Sequence, residues 1–465
     1  MRTPGTRRCA ILFCALATTG SLADFAKIVK DGNGVFWFEQ NGARFTSRVV
    51  NHVNNGGADD GVNGRESAIC QAATNNSLCG DSLNFGGALN YAPYWNVVSK
   101  KYNGSVSAWA AAATGTLAGL GFNGVSGWSA GAAEAAAAAR GMHSLKLLDL
   151  GVTWPYAWSK GLDFDVWSAN FSEQVGRVAA AAVPARANDE SLLAWQTDNE
   201  CNYMLLGLET YLVTYAAGAG GVACVAWLQR RYPTLDALNA AWGSRAGAWT
   251  GPDGVGYHLQ HDRGLNATAV GADNVDFIAN GVMDRYFNLT FSAIRRHDPN
   301  HLISGLRGYF GDAALPVMQA AARQGADLLD FHDYADLPNV NLMEMAHQLT
   351  GLPIVNGEFS FTAVDSNMPN THGARAGHPE PTQTDRARKF TAYATLLLSQ
   401  PWAVGFGWWN WVDEPATGRW PDGENSNYGV VSLAEDAYTV LGGAFAAFNA
   451  AADALHAASG KHGDL

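Results

Sequence analysis

Charge is scarce in this chain of 465 residues: Asp, Glu, Lys and Arg make up 15% of it, and 30 basic side chains face 42 acidic ones. A net charge of −12 disfavours nucleic acid and anionic membranes, so neither is expected as a partner. It also disfavours strongly anionic polysaccharides unless basic residues gather in a cleft. Cysteine is scarcer still. There are six, with no Cys-x-x-Cys and no spacing that resembles a zinc site, so no metal and no cofactor are expected. Long apolar runs are absent beyond the N-terminus, which leaves no transmembrane candidate. There is no internal repeat and no linker to a second domain.

What is present begins with Arg2, Arg7 and Arg8, the short apolar stretch Cys9 to Leu16, and Ser21-Leu22-Ala23. A basic lead, a short apolar core and a small-residue end read as a secretory signal peptide over residues 1–23. Its removal takes the net charge to −15 and leaves a single domain over 24–465, secreted or lumenal, with no membrane contact after cleavage. Four cysteines then remain, Cys70, Cys79, Cys201 and Cys224. In an exported chain these predict two disulfides out of three possible connectivities. The pairs closest in sequence are Cys70–Cys79 and Cys201–Cys224. Five Asn-x-Ser/Thr sequons, at Asn75, Asn103, Asn170, Asn266 and Asn288, make a glycoprotein an expectation.

Residues 34–50 predict a hairpin around Asn41-Gly42, a type I′ signal, with the second arm running on through Asn51 and His52 as a first barrel strand. Residues 54–90, rich in Gly and Asn, predict a long surface loop. Strand-like runs then alternate with helix-like ones, which predicts parallel βα units. The runs end near Ser126, Asp149, Glu200, Arg307, His332, Glu358 and Trp409. Eight strands in all predict a (β/α)8 barrel with an N-terminal β-hairpin. The stretch 201–283 is too long for one connection and predicts a helical insertion after the fourth strand, packed beside the active-site mouth.

Two of these strands stop abruptly at a carboxylate. Leu192 to Asn199 leads into Glu200, and Leu352 to Gly357 leads into Glu358. Strand ends at one face of such a barrel bring distant residues together. Two carboxyl groups flanking a glycosidic bond can serve as acid/base and nucleophile. Taken alone, Asp198-Asn199-Glu200 is equally well an ordinary strand end, and the force of the reading lies in the pair. Asn51, His52, Trp128, Asp149, Arg307 and His332 also stand at predicted strand ends and are candidates to face a ligand. A lone histidine such as His52 or His332 is more often a structural group.

These residues resemble the clan A retaining glycoside hydrolases, in which Asn-Glu ends strand four and Glu ends strand seven. The agarase-like and β-galactosidase-like members are similar over most of the mature chain. The similarity runs through Phe164-Asp165-Val166-Trp167 with Phe171, Thr197 to Glu200, Trp227 to Gly243, Asp298-Pro299-Asn300-His301-Leu302, and Trp408-Trp409-Asn410-Trp411. By that resemblance Glu200 is the acid/base, Glu358 the nucleophile, and Asn199 the contact for the sugar 2-hydroxyl. Tyr334, in His332-Asp333-Tyr334, matches a tyrosine that bonds the nucleophile. Trp408 or Trp409 forms the platform under the reactive sugar. The implied activity is a retaining β-glycosidase on galactose-containing poly- or oligosaccharides, agarase-like. A β-mannanase or β-glucanase of the same clan is the alternative enzyme, and a barrel that binds carbohydrate without cleaving it is the alternative of another class.

Overall fold

The computed structural model describes residues 24–56, 82–85, 88–91, 93–151, 165–309, 311–416, 418–419 and 423–462. The signal-peptide reading, Cys70, Cys79 and the sequon at Asn75 lie outside the described residues. Among those described, no helix is long and apolar enough to cross a membrane.

The hairpin forms where Asn41 and Gly42 both take positive φ, 51° and 73°, as a type I′ turn requires. It joins β2 (Phe36–Gln40) to β3 (Ala43–Phe45), and β1 (Lys27–Lys30) adds a third antiparallel strand that the sequence reading passed over. One residue further on, β4 (Ser47–Asn51) enters the barrel. A short hairpin, β5 (Ser82–Phe85) with β6 (Ala88–Tyr91), occupies part of the stretch expected to be loop.

Eight parallel strands close the barrel: β4, β7 (Gly124–Ser126), β8 (His143–Leu147), β9 (Leu192–Asn199), β10 (Leu302–Arg307), β11 (Leu329–His332), β12 (Ile354–Phe359) and β13 (Ala403–Trp408). Closure runs from β13 back to β4 through Phe406 opposite Arg48 and Trp408 opposite Val50. One apolar cluster gathers Val49, Leu145, Leu193, Leu302, Val355 and Val404, from the early residues of six barrel strands, around Phe38 of the hairpin. The three-stranded sheet therefore plugs the N-terminal end of the barrel, leaving the opposite end for the site. The helices pack outside, and their apolar faces form the main core with Phe359, Phe390, Phe406, Trp408 and Phe445.

The expected insertion is helical, with helices Ala219–Arg231, Leu235–Trp242, Val255–His261 and Ala267–Phe277. Thr234 caps Leu235–Trp242 through its hydroxyl, and Gly243 at φ 68° ends it. The Asp165-Val166-Trp167 string anchors the insertion. Asp165 Oδ2 accepts from Gly220 N at 2.8 Å, and Trp167 stacks on Phe277 at 6.0 Å.

The expected Cys201–Cys224 disulfide is corrected. Both are free thiols buried in the apolar core, Cys224 within helix Ala219–Arg231, where they pack as small apolar side chains. Closeness in sequence does not bring two Cβ atoms into bridging geometry.

Candidate active site

A left-handed residue stands just beyond five successive barrel strands: His52, Trp128, Asp149, Glu200 and Gly308, at φ 51°, 55°, 52°, 46° and 83°. For the four that are not glycine this backbone costs about 1–2 kcal/mol each. Such strain persists where surrounding structure holds it, and it clusters at functional sites. At Glu200 the hold is visible, since its N–H donates to Arg307 O at 2.8 Å.

At these strand ends the two glutamates meet. An oxygen of Glu200, an oxygen of Glu358 and a ring nitrogen of His332 all lie within 4.8 Å of one another. Tyr334 Oη donates to Glu358 Oε1 at 2.7 Å, and Arg307 Nη2 lies 3.2 Å from Glu358 Oε2. His332 Nδ1 is 2.7 Å from Glu200 Oε1, and its Nε2 is 3.7 Å from Glu358 Oε2. Burial, reinforced by the charge of Arg307 and opposed by that of Glu358, lowers the His332 pKa to about 4. The ring is therefore neutral near pH 7, and it shares one hydrogen bond with Glu200 through Nδ1. The Glu200 side chain is 23% exposed against 8% for Glu358, so the first is the more open to solvent.

The same three side chains form a possible metal donor set among the described residues. A divalent cation there would face the Arg307 guanidinium, and the hydrogen bonds already in place suit a carboxylate pair better.

Arg307 does not face a ligand as expected. It is wholly buried and works as a clamp. Its Nη1 donates to Asn199 Oδ1 at 2.9 Å and its Nη2 to Asn51 Oδ1 at 2.8 Å. Asn51 is likewise buried, its Nδ2 donating to Gly357 O at 2.8 Å. The clamp needs Gly127, because a Cβ there would sit 2.5 Å from Arg307 Nη1.

The two tryptophans separate. Trp408 is corrected from platform to core: it points outward among Phe359, Phe390 and Phe445, its Nε1 donating to Tyr428 O at 2.9 Å. Trp409 turns to the mouth but is nearly covered. His52 stacks on it at 5.7 Å, Arg419 lies 5.3 Å from its ring centre, and Trp128 meets it edge-on. Trp128 and Tyr334, both half-buried, carry the open aromatic surface of this cluster.

Sequence reasoning missed several supports. Asp198 is a brace, accepting from Tyr286 Oη at 2.6 Å and from Gly151 N at 2.9 Å. Asp298 receives Trp195 Nε1 and His301 Nδ1, both at 2.6 Å. These bonds outweigh the desolvation that would raise its pKa and bring it to about 2, fixing the turn before β10. Gly127-Trp128-Ser129-Ala130-Gly131 has the Gly-x-Ser-x-Gly form of a serine-hydrolase elbow. Yet Ser129 Oγ donates to Ser126 O at 2.5 Å and accepts from Val53 N at 3.1 Å, so it ties down a turn. Asp330 and Gln196, inside the barrel beneath the glutamates, gave no signal at all.

With this geometry in hand, the comparisons bear on the resemblance. No family model matches the chain. Two curated proteins of Vibrio sp. (strain JT0107) are similar to it. β-Agarase B is 27% identical over 261 residues, 55% of this chain and 26% of its own length. β-Agarase A is 28% identical over 308 residues, 61% of this chain and 29% of its own. The chain thus spans between a quarter and a third of the length of these relatives. Among solved structures, an exo-β-agarase superposes with a TM-score of 0.77 at 18% identity, over 94% of this chain and 66% of that one. A second agarase gives 0.74 at 19% identity, over 93% and 65%. The resemblance read from the sequence holds: the chain is similar to β-agarases, and its fold is a (β/α)8 barrel like that of the agarase structures.

Proposed function

We propose that this chain is a retaining β-glycoside hydrolase that cleaves galactose-containing polysaccharide, agarose first, by double displacement. The observation that carries the reading is the approach of Glu200 and Glu358 to within 4.8 Å at the open end of the barrel. Retaining enzymes hold their two carboxyl groups about 5–5.5 Å apart, whereas inverting ones need about 6.5–9.5 Å to admit a water.

Glu358 attacks the anomeric carbon from its buried seat. Tyr334 and Arg307 hold and aim it by bonding one oxygen each. Glu200, the more exposed, protonates the departing glycosidic oxygen. With Oε1 held by His332 Nδ1, the transferable proton sits on Oε2. Glu200 then draws a proton from the water that releases the sugar from Glu358. Asn199, its Oδ1 fixed by Arg307, keeps its amide donors for the sugar 2-hydroxyl, a bond that strengthens in the transition state. Trp128 supplies the apolar face on which a sugar ring stacks. The similarity to β-agarases supports the galactan, and an exported chain acting outside the cell fits so large a substrate.

Incubation with agarose, porphyran, galactan and mannan, followed by product sizing and anomeric NMR, tests the reading. Cleavage of agarose with initial β-anomers is expected. Cleavage of mannan alone moves the substrate to the alternative enzyme. No cleavage of any glycan, with retained binding, leaves a carbohydrate-binding barrel.

A further inference from the structure

Beneath the glutamates lies a carboxyl group that the mechanism above leaves idle. Asp330, on β11, is completely buried, and its Oδ2 accepts from Gln196 Nε2 of β9 at 2.8 Å. Its Oδ1 has no hydrogen-bond partner. A buried polar oxygen left so is costly and is rarely kept without a use. That oxygen presses on the backbone just before Glu358: a Cβ added to Gly357 would lie 2.0 Å from Asp330 Oδ1. On the other side Asp330 Oδ2 is 3.7 Å from Arg307 Nε, while Arg307 Nη2 reaches Glu358.

We propose that Asp330 is a positioning residue for Glu358: the two carboxyl groups share the Arg307 guanidinium, so that the charge on one governs the other. This rests on the reading of Glu358 as nucleophile. A guanidinium stays charged throughout a catalytic cycle. While Glu358 is ionised it has a partner. Once Glu358 carries a sugar as a neutral ester, a buried Arg307 with no counter-charge would be strongly destabilising. Asp330 is the remaining carboxyl beside the guanidinium among the described residues, and it takes that place without moving.

The groups that face Asp330 are few. Arg307 comes from β10 with Tyr309 just beyond it, Gln196 from β9, His332 from its own strand and Glu358 from β12. Burial pushes the Asp330 carboxyl up, Arg307 and His332 pull it down, and Glu358 adds to the rise. Two carboxyl groups so coupled titrate as a pair.

The test is a carbon-13 NMR titration of protein labelled at the Asp and Glu side-chain carboxyls, with Glu358→Gln assigning the resonance. Asp330→Asn keeps the shape and removes the charge. The Glu358 midpoint should then fall by about one pH unit, since a like charge nearby raises a carboxyl group. An unmoved or raised midpoint overturns the proposal. Should Asp330→Asn fail to fold, the wild-type chain decides: biphasic curves at both carboxyls support the pair, and two independent single curves refute it. The titration needs no turnover. A shift without glycan cleavage therefore sinks the hydrolase reading alone, and cleavage without a shift sinks this inference alone.

Discussion

His332 Nδ1 lies 2.7 Å from Glu200 Oε1, a neutral ring holding one oxygen of the more exposed glutamate. Burial is the main reason that its pKa falls to about 4, so the ring is predominantly neutral once the pH is a unit or more above that value. Nitrogen-15 NMR at pH 5.5 should therefore show a neutral imidazole protonated on Nδ1. An imidazolium at that pH would contradict the assignment. His332→Ala should slow polysaccharide cleavage by about 100-fold or more, as losing an aligned acid does. It should slow an activated aryl glycoside far less, because that leaving group needs no proton. Equal losses on both substrates would place the role of His332 elsewhere.

Tyr334 and Glu358 provide a second test. Tyr334→Phe removes one hydrogen bond to a carboxylate, on the order of 1.5–3 kcal/mol, or about ten- to a hundredfold in kcat. Steady-state kinetics check it, with KM expected to change little. A change confined to KM would make Tyr334 a sugar contact.

Trp408 and Trp128 should part company in experiment. Trp408→Ala empties a core position and should cost about 3–5 kcal/mol of stability, read by urea unfolding. Trp128→Ala should raise KM for oligosaccharide several-fold and leave unfolding nearly unchanged. The reverse pattern would return the platform to Trp408.

Free thiols make the cysteines predictable. Burial raises both the Cys201 and Cys224 thiols, so neither should react with iodoacetamide in the folded chain. After unfolding without reductant both should be alkylated, as peptide mapping will show. A Cys201–Cys224 cross-linked peptide would contradict the structure.

How much of this was legible follows from what each residue's signal depends on. The eight strands, the hairpin at Asn41-Gly42 and the helix Leu235–Trp242 rest on local patterns, and the structure has them nearly as read. His52, Trp128, Asp149 and Glu200 were legible as strand ends, though their shared left-handed backbone was not, because Asn and Gly announce that conformation and Trp or Glu do not. Trp408 is the last residue of β13 and Trp409 lies just past it, and only the packing of Trp408 among Phe359, Phe390 and Phe445 tells the two apart. Asp330 and Gln196 sit within apolar runs with nothing to distinguish an inward polar residue from an outward one. Their meaning comes from Arg307, on a different strand. The strand β1, four residues with a charge at each end, is too short and too mixed to announce itself.

The central claim is that Glu358 forms a covalent bond to the sugar with Glu200 as its acid/base. Incubation of the protein with a 2-deoxy-2-fluoro-β-galactosyl fluoride slows release of the intermediate and lets it accumulate for intact-mass and peptide analysis. The account predicts one fluorosugar per chain, carried by the peptide containing Glu358, with Glu358→Ala unlabelled and Glu200→Ala labelled but slow to turn over. A label on any other residue, or hydrolysis to an inverted α-product without an adduct, would contradict it.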